Sequence, residues 1–381
     1  MTSALTSFLR QSATNFKGQK LSQKIVVFES DDWGSIRTPK NSIDSLLNRF
    51  GIDKNRNPYL LYDHPASAGD VSALFEVLKL HRDSLGNAPT ITANVNVANP
   101  DFDFIKQSGF KQYQAESIVQ TFRRVFDEFQ NPISVWKQGM AEGLFYPQFH
   151  GREHLWVNAW LEALQSQEPL FLEAFELGFW GINPEVYPSI RVNFQAAFDG
   201  SIHKQSQFVG QSIKEGIDLF ESIFGFKPKT FIPTNYIWSD AYNSYLKENG
   251  ILGIQGMKYQ LLPKEKTTDA RAKSRRWNGQ LRDGLVQTVR NAAFEPAFYA
   301  KTQRKNEVEK CLNQISNAFW WHQPAIISTH RLNFSGQLDL EHRDINLSLL
   351  NDLLQQMLKK WPNILFLNSE QITDLYLTKS A

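Results

Sequence analysis

KIVVFESDDWGS, residues 24–35, runs four apolar residues, Ile25 to Phe28, toward two adjacent carboxylates, Asp31 and Asp32, followed by Trp33 and Gly34. A short continuous apolar run reads as a strand buried on both faces, the habit of parallel sheets in α/β proteins. Neighbouring carboxylates repel and are costly to bury unless a cation or hydrogen-bond donors meet them. The end of this strand is therefore either a solvated turn or a site.

Comparable runs recur along the 381 residues, at 89–97, 143–150, 188–198, 229–234, 251–256, 285–294, 325–332 and 364–367. Amphipathic stretches lie between them at 153–165, 211–225, 239–250 and 347–361. This alternation predicts a parallel α/β fold, and seven or eight repeats predict a (β/α) barrel over residues 24–375 behind an N-terminal extension, 1–23. Three stretches, 49–88, 99–142 and 258–284, break the alternation and read as insertions on the loops that rim a barrel mouth. The last carries a run of Lys and Arg, read as a solvated loop.

Composition narrows the chemistry. With 28 Phe, 11 Tyr and 10 Trp a large core can form, which excludes a disordered chain. A net charge of +2, from 41 basic and 39 acidic residues, argues against nucleic acid as a partner. The single Cys311 excludes an intramolecular disulfide and a thiolate zinc cluster, so any metal must be held by carboxylate and imidazole. No apolar stretch approaches the roughly 18–20 residues needed for a membrane span, and Arg10 interrupts the weakly apolar N-terminus; a cytoplasmic protein is expected.

Two further motifs complete the first. In FYPQFHGREHLW, 145–156, His150 and His154 stand four apart, a spacing that stacks two imidazoles on one helix face and suits a metal with two nitrogen ligands. A pair of surface histidines gives the same pattern. HGREH also matches the H-x-x-E-H motif of inverted zinc peptidases, with Glu153 as base, but that motif lies within a continuous helix. Pro147, in a β-like run three residues before His150, instead predicts His150 at a strand end and His154 in the first turn of the next helix. AIISTHRLNF, 325–334, ends another buried-looking strand in His330, and in an α/β barrel a strand's C-terminal end faces the mouth where chemistry is done.

In this order of motifs the chain resembles the polysaccharide deacetylase superfamily, which includes chitin and peptidoglycan deacetylases on a (β/α)7-type barrel. The resemblance implies Asp31 as general base, Asp32, His150 and His154 as ligands of a divalent metal, usually zinc, and His330 as general acid. It implies hydrolysis of an N- or O-acyl group on a carbohydrate or amino-sugar substrate, by attack of water activated at the metal. A glycosidase or cyclic-amide hydrolase on the same barrel, or a non-catalytic carbohydrate-binding barrel, are the alternatives.

Two departures stand out. Trp33 replaces the usual Gly after the aspartates, and FIPTNY, 231–236, keeps Pro233 of the family's Arg-x-Pro-x-Gly motif without its arginine. Arg290, with Glu295 as a possible partner, is the candidate for the missing arginine that orients the base; an ordinary barrel salt bridge would look the same. Trp33, Tyr236 and Trp238 are candidates for stacking on sugar rings, and Asn235 and Arg331 for further substrate contacts. Arg37 and Arg152 also flank the motifs.

Overall fold

The computed structural model describes residues 2–39, 43–266 and 268–380. Strands β1 (Lys24–Trp33), β2 (Ile91–Val95), β3 (Phe145–Phe149), β4 (Thr230–Phe231) and β5 (Gly253–Gly256) lie parallel and side by side in that order. One segment then bridges both open edges: β6 (Leu285–Val289) pairs with β5, and β7 (Ala292–Ala293) pairs with β8 (Ala325–His330), which lies against β1. The switch falls between consecutive residues. The Arg290 N–H donates to the Gly256 carbonyl at 2.8 Å and the Asn291 N–H to the Ile326 carbonyl at 3.1 Å. The predicted α/β ring of parallel strands is thus present, with β9 (Ile364–Leu367) added alongside the first half of β1.

Helices cover the outside of the ring, among them Ala68–Lys79, Ile133–Ala141, Ile202–Phe224, Asn306–Trp320 and Leu340–Lys360. Their apolar faces form one cluster with the outward residues of the strands, including Val26, Phe28, Phe145 and Phe231. The first two of these helices fall inside stretches 49–88 and 99–142. A second cluster, built from Leu46, Leu47, Trp160, Phe171, Phe175 and Trp180, packs the intervening loops together. Stretch 258–284 forms a hairpin, Tyr259–Leu261 with Lys273–Arg275, and an antiparallel strand, Gln280–Arg282, on β6. Its cations are partly engaged: Arg271 binds Asp199, and Arg276 and Arg282 bind Asp240.

Inward-facing side chains of the ring are polar. Gln148 Oε1 accepts from Thr230 Oγ1, Thr230 Oγ1 accepts from Gln255 Nε2, and Asn94 Nδ2 donates both to Gln255 Oε1 and to Asp31 Oδ1. This network replaces the branched aliphatic layers common in such barrels and delivers donors to a strand-end carboxylate.

Two expected elements are different. Residues 188–198 form no strand: Asn183 and Asn193 each accept backbone N–H groups two residues on, and such Asx turns compete with extended pairing. The helix expected from Glu153 starts at Val157, because Gly151 sits at φ +92° and the chain turns between the two histidines. The N-terminal helix, Thr2–Asn15, packs on Asn306–Trp320, with buried Asn15 bonded to Asn317 and Asn291.

Candidate metal and catalytic centre

A β-bulge at the end of β1 separates the paired aspartates. The pairing with β2 slips between Ser30 and Trp33, and Asp32 adopts φ +71°, so consecutive carboxylates turn to different partners. Asp31 stays on the ring axis. Arg290 meets it with two nitrogens, Nη1 to Oδ2 and Nη2 to Oδ1, both at 2.6 Å, and Asn94 adds a donor at 2.8 Å. Burial raises its pKa, but the Arg290 guanidinium outweighs that and leaves it below the ordinary value.

Asp32 turns toward the histidines. Its Oδ1 lies 3.3 Å from His154 Nε2 and 3.6 Å from His150 Nε2, while Oδ2 receives Arg37 Nη2 at 2.6 Å. Burial opposes its charge, yet Arg37 and the imidazoles hold its pKa well below the usual value. His150 Nδ1 lies 2.8 Å from the Ile232 carbonyl, which can only accept, so Nδ1 donates there and Nε2 is the nitrogen turned to Asp32. Burial and Arg37 press the His154 pKa well down, which keeps that ring neutral. One ligand atom from each of Asp32, His150 and His154 lies within 4.8 Å of the others. One carboxylate and two imidazoles whose ligand atoms converge fit a divalent cation and leave coordination positions open.

His330, at the end of β8, is 3.9 Å from Asp31 Oδ2 through Nε2, and its Nδ1 is bonded to Glu295 Oε1 at 2.6 Å. Burial lowers the imidazole's pKa, but Glu295 and the two aspartates more than compensate, and the result is about 9. Glu295 is thus the partner of His330 rather than of Arg290. The second carboxylate on Arg290 is Glu29, at 2.7 Å, a fully buried acid that also accepts from Ser369.

A cavity of about 260 Å³ opens over these groups, walled by Asn183, Asn193 and Gln195 on one side and Tyr59 and Phe298 on another. Tyr236 and Asn235 line it, on two consecutive left-handed residues at φ +57° and +52°. Such strained backbone gathers at functional sites. The Tyr236 hydroxyl accepts from Arg290 Nη1 at 3.1 Å.

The other substrate candidates do not reach the cavity. Trp33 is fully buried against Trp136 and Phe145, and Trp238 against Phe198 and Phe231, because both indoles fill the layer between strands and helices. Arg331 is buried beneath the site, binding Asp63 and the Ser35 carbonyl. Asp63 in turn binds Arg37. Arg152 bridges Glu153 and Glu215, which occupies the Glu153 carboxylate and, with the break before Val157, removes the inverted-peptidase arrangement. The aromatic at the mouth is Phe298, 46% exposed and 5.7 Å from Tyr59, in a 3₁₀ turn that the sequence pattern did not mark.

The profile of glycosyl hydrolase family 57 matches residues 198–256, and no curated protein matches the sequence. Among solved structures, a Mycobacterium smegmatis protein assigned as a polysaccharide deacetylase aligns over 96% of both chains at 11% identity and TM-score 0.44. A Puue allantoinase aligns over 92% of this chain and 89% of its own, at 10% identity and TM-score 0.43. A 4-alpha-glucanotransferase from Thermococcus litoralis covers 94% of this chain but only 41% of its own length, at 8% identity and TM-score 0.44.

Proposed function

We propose that the protein is a metal-dependent hydrolase that removes an N- or O-acyl group from a carbohydrate or amino sugar. The observation that carries this reading is the division of labour at the β1 bulge: Asp32 converges with His150 and His154, while Asp31 is held apart by Arg290. A divalent cation at the triad, zinc in the simplest case, would polarise the acyl carbonyl and acidify a water. Asp31, kept ionised by Arg290, would serve as the base for a proton of the attacking water. His330, held protonated by Glu295, returns a proton to the leaving amine or alkoxide. Phe298 at the mouth offers a flat apolar face to a sugar ring.

The family 57 match motivates a glycosidase as the second reading. Its span, 198–256, contributes Pro233, Asn235 and Tyr236 to the cavity but none of its acids. Asp199 and Asp240, for example, are committed to Arg271 and to Arg276 and Arg282. The deacetylase reading requires no further carboxylate.

Elemental analysis paired with an acyl-release assay tests the proposal. The purified protein is expected to carry about one divalent cation per chain, His150→Ala to lose it, and Asp31→Asn to keep it while activity falls about 10²–10⁴-fold. A metal-free protein whose His150→Ala variant binds sugar normally would favour a non-catalytic carbohydrate-binding barrel.

A further inference from the structure

Cations and exposed apolar side chains gather on one flank of the ring, none of them lining the catalytic cavity. Residues 1–28 hold four cations, Arg10, Lys17, Lys20 and Lys24, and no acid. The N-terminal helix and the turn after it meet the hairpin of Tyr259–Leu261 with Lys273–Arg275. Arg275 donates to the Ala13 carbonyl, and the Phe16 and Trp277 rings meet edge to face with centres 5.1 Å apart. Cations and rings alternate across this joint. Lys17 Nζ lies 5.9 Å from the centre of the Trp277 ring, and the Arg275 guanidinium 4.2 Å from that ring and 4.9 Å from Tyr259, over which Lys273 stands at 4.7 Å. Arg271, Arg276 and Arg282 of the same stretch bind carboxylates, whereas Lys17, Lys273 and Arg275 form no ion pair among the described residues.

Apolar side chains stand out among these charges. Leu9 is 59% exposed and Trp320 70%, and Phe8, Phe16 and Leu281 are exposed as well. Phe8 meets the Trp320 ring at 6.3 Å, and Leu281 lines a groove with Lys17 and Trp277. These five are among thirteen exposed large apolar side chains of the described residues, so they form a patch rather than the single scatter ordinary to a surface.

We propose that this flank binds the surface of an anionic membrane. Aromatic and aliphatic groups enter the headgroup layer while ammonium and guanidinium groups meet lipid phosphate. A second copy of the chain docked about a two-fold axis would set the face against itself and oppose like charges. Leu9 and Leu281 cannot stack on a base, so they suit lipid better than nucleic acid. The hairpin follows the C-terminal end of β5, the end of the parallel ring at which Asp31, His150 and His330 stand. Docking here therefore holds the cavity mouth near the lipid. The proposal does not depend on the acyl-release reading.

Flotation of the full-length protein with vesicles tests it, using phosphatidylcholine alone and an equimolar mixture with phosphatidylglycerol. Binding to the mixed vesicles is expected to be at least about tenfold tighter than to the neutral ones, and to weaken as added salt screens the charges. Lys17→Ala combined with Lys273→Ala is expected to weaken it more than about tenfold, since each cation near the surface counts for about fivefold. Trp320→Ser should also weaken it, whereas Leu85→Ser, at an exposed apolar position outside the patch, leaves it unchanged. All these side chains are exposed, so the variants should keep the wild-type urea midpoint. Absence of binding to the mixed vesicles overturns the proposal. Binding retained by both the lysine and the Trp320 variants overturns it too, because the lipid then meets another face. Without vesicle binding, a dimer that Trp320→Ser dissociates assigns the patch to a second copy, and an oligonucleotide complex that the lysine variant loses assigns it to nucleic acid; either overturns the membrane proposal.

Discussion

At the scale of single residues, Arg290 is the hub of the centre. It is buried and binds both Glu29 and Asp31. Arg290→Ala leaves two buried carboxylates without their cation, and removal of one partner from such a group costs about 3–5 kcal/mol. Urea unfolding is expected to read that loss, and acyl-release activity to fall with it. Arg290→Lys keeps the charge but loses the two-pronged geometry, so it is expected to recover stability more than activity. In the proposed mechanism His330 sets the alkaline limit. Its pKa is raised from 6.5 to about 9, so its favourable charge interactions are fully present below about 6.5 and disappear as pH rises through about 9. The proton that the proposed mechanism draws from His330 is lost over the same upper range. Glu295→Gln removes the carboxylate that holds this proton, and an NMR titration of the metal-free protein should show the His330 midpoint move down. The alkaline limb of kcat/KM should move the same way. Asp31 and Asp32 have the opposite sign: their depressed pKa values contribute stability above the ordinary carboxylate range and lose it on acidification.

At the scale of elements, the β1 bulge and the loop after it decide the site. Gly34 follows Trp33 at φ +90°, and a Cβ there would lie 2.1 Å from the Asn96 carbonyl oxygen. Gly34→Ala must therefore shift backbone as well as adopt a left-handed conformation that alone costs about 1–2 kcal/mol. The expected outcome is lower denaturation resistance together with reduced metal content, since Asp32 is two residues upstream. Trp33→Ala is a different case. The indole is core, so the loss of a large aromatic should cost about 3–5 kcal/mol in unfolding experiments, with no selective rise in KM for sugar. The strand ends carrying DD, HxxxH and the late His were recognisable because buried apolar runs ending in charge have few structural explanations. The bulge, the start of the helix at Val157 and the loss of a strand at 188–198 were not, because Asx turns and left-handed residues leave no periodic signal.

At the scale of the whole molecule, the ring closes through one segment, 285–293, that changes neighbour between Arg290 and Asn291. That change of partner also positions Arg290 inside the ring. The N-terminal helix secures the outside of the same region, since Asn15 accepts from Asn291 Nδ2 at 2.8 Å and donates to Asn317 Oδ1 at 2.9 Å. Deleting residues 1–17 removes both amide hydrogen bonds, at about 0.5–1.5 kcal/mol each, and uncovers the face of Asn306–Trp320 on which the helix packs. The truncated protein is expected to unfold cooperatively at a lower urea midpoint. Among the described residues no helix is long and apolar enough to cross a membrane.

By itself the sequence determined the alternation of buried strands and amphipathic helices, and the residue types available for metal and proton chemistry. Both follow from local periodicity and from the rarity of charge at the end of an apolar run. Tertiary structure alone decided which carboxylate serves which partner. Glu29 and Asp31 stand 261 and 259 residues from Arg290. Ion pairing depends on distance through space and on burial, which the chain acquires only when the ring closes. The same closure sent Trp33 and Trp238 into the core and left Phe298 at the mouth.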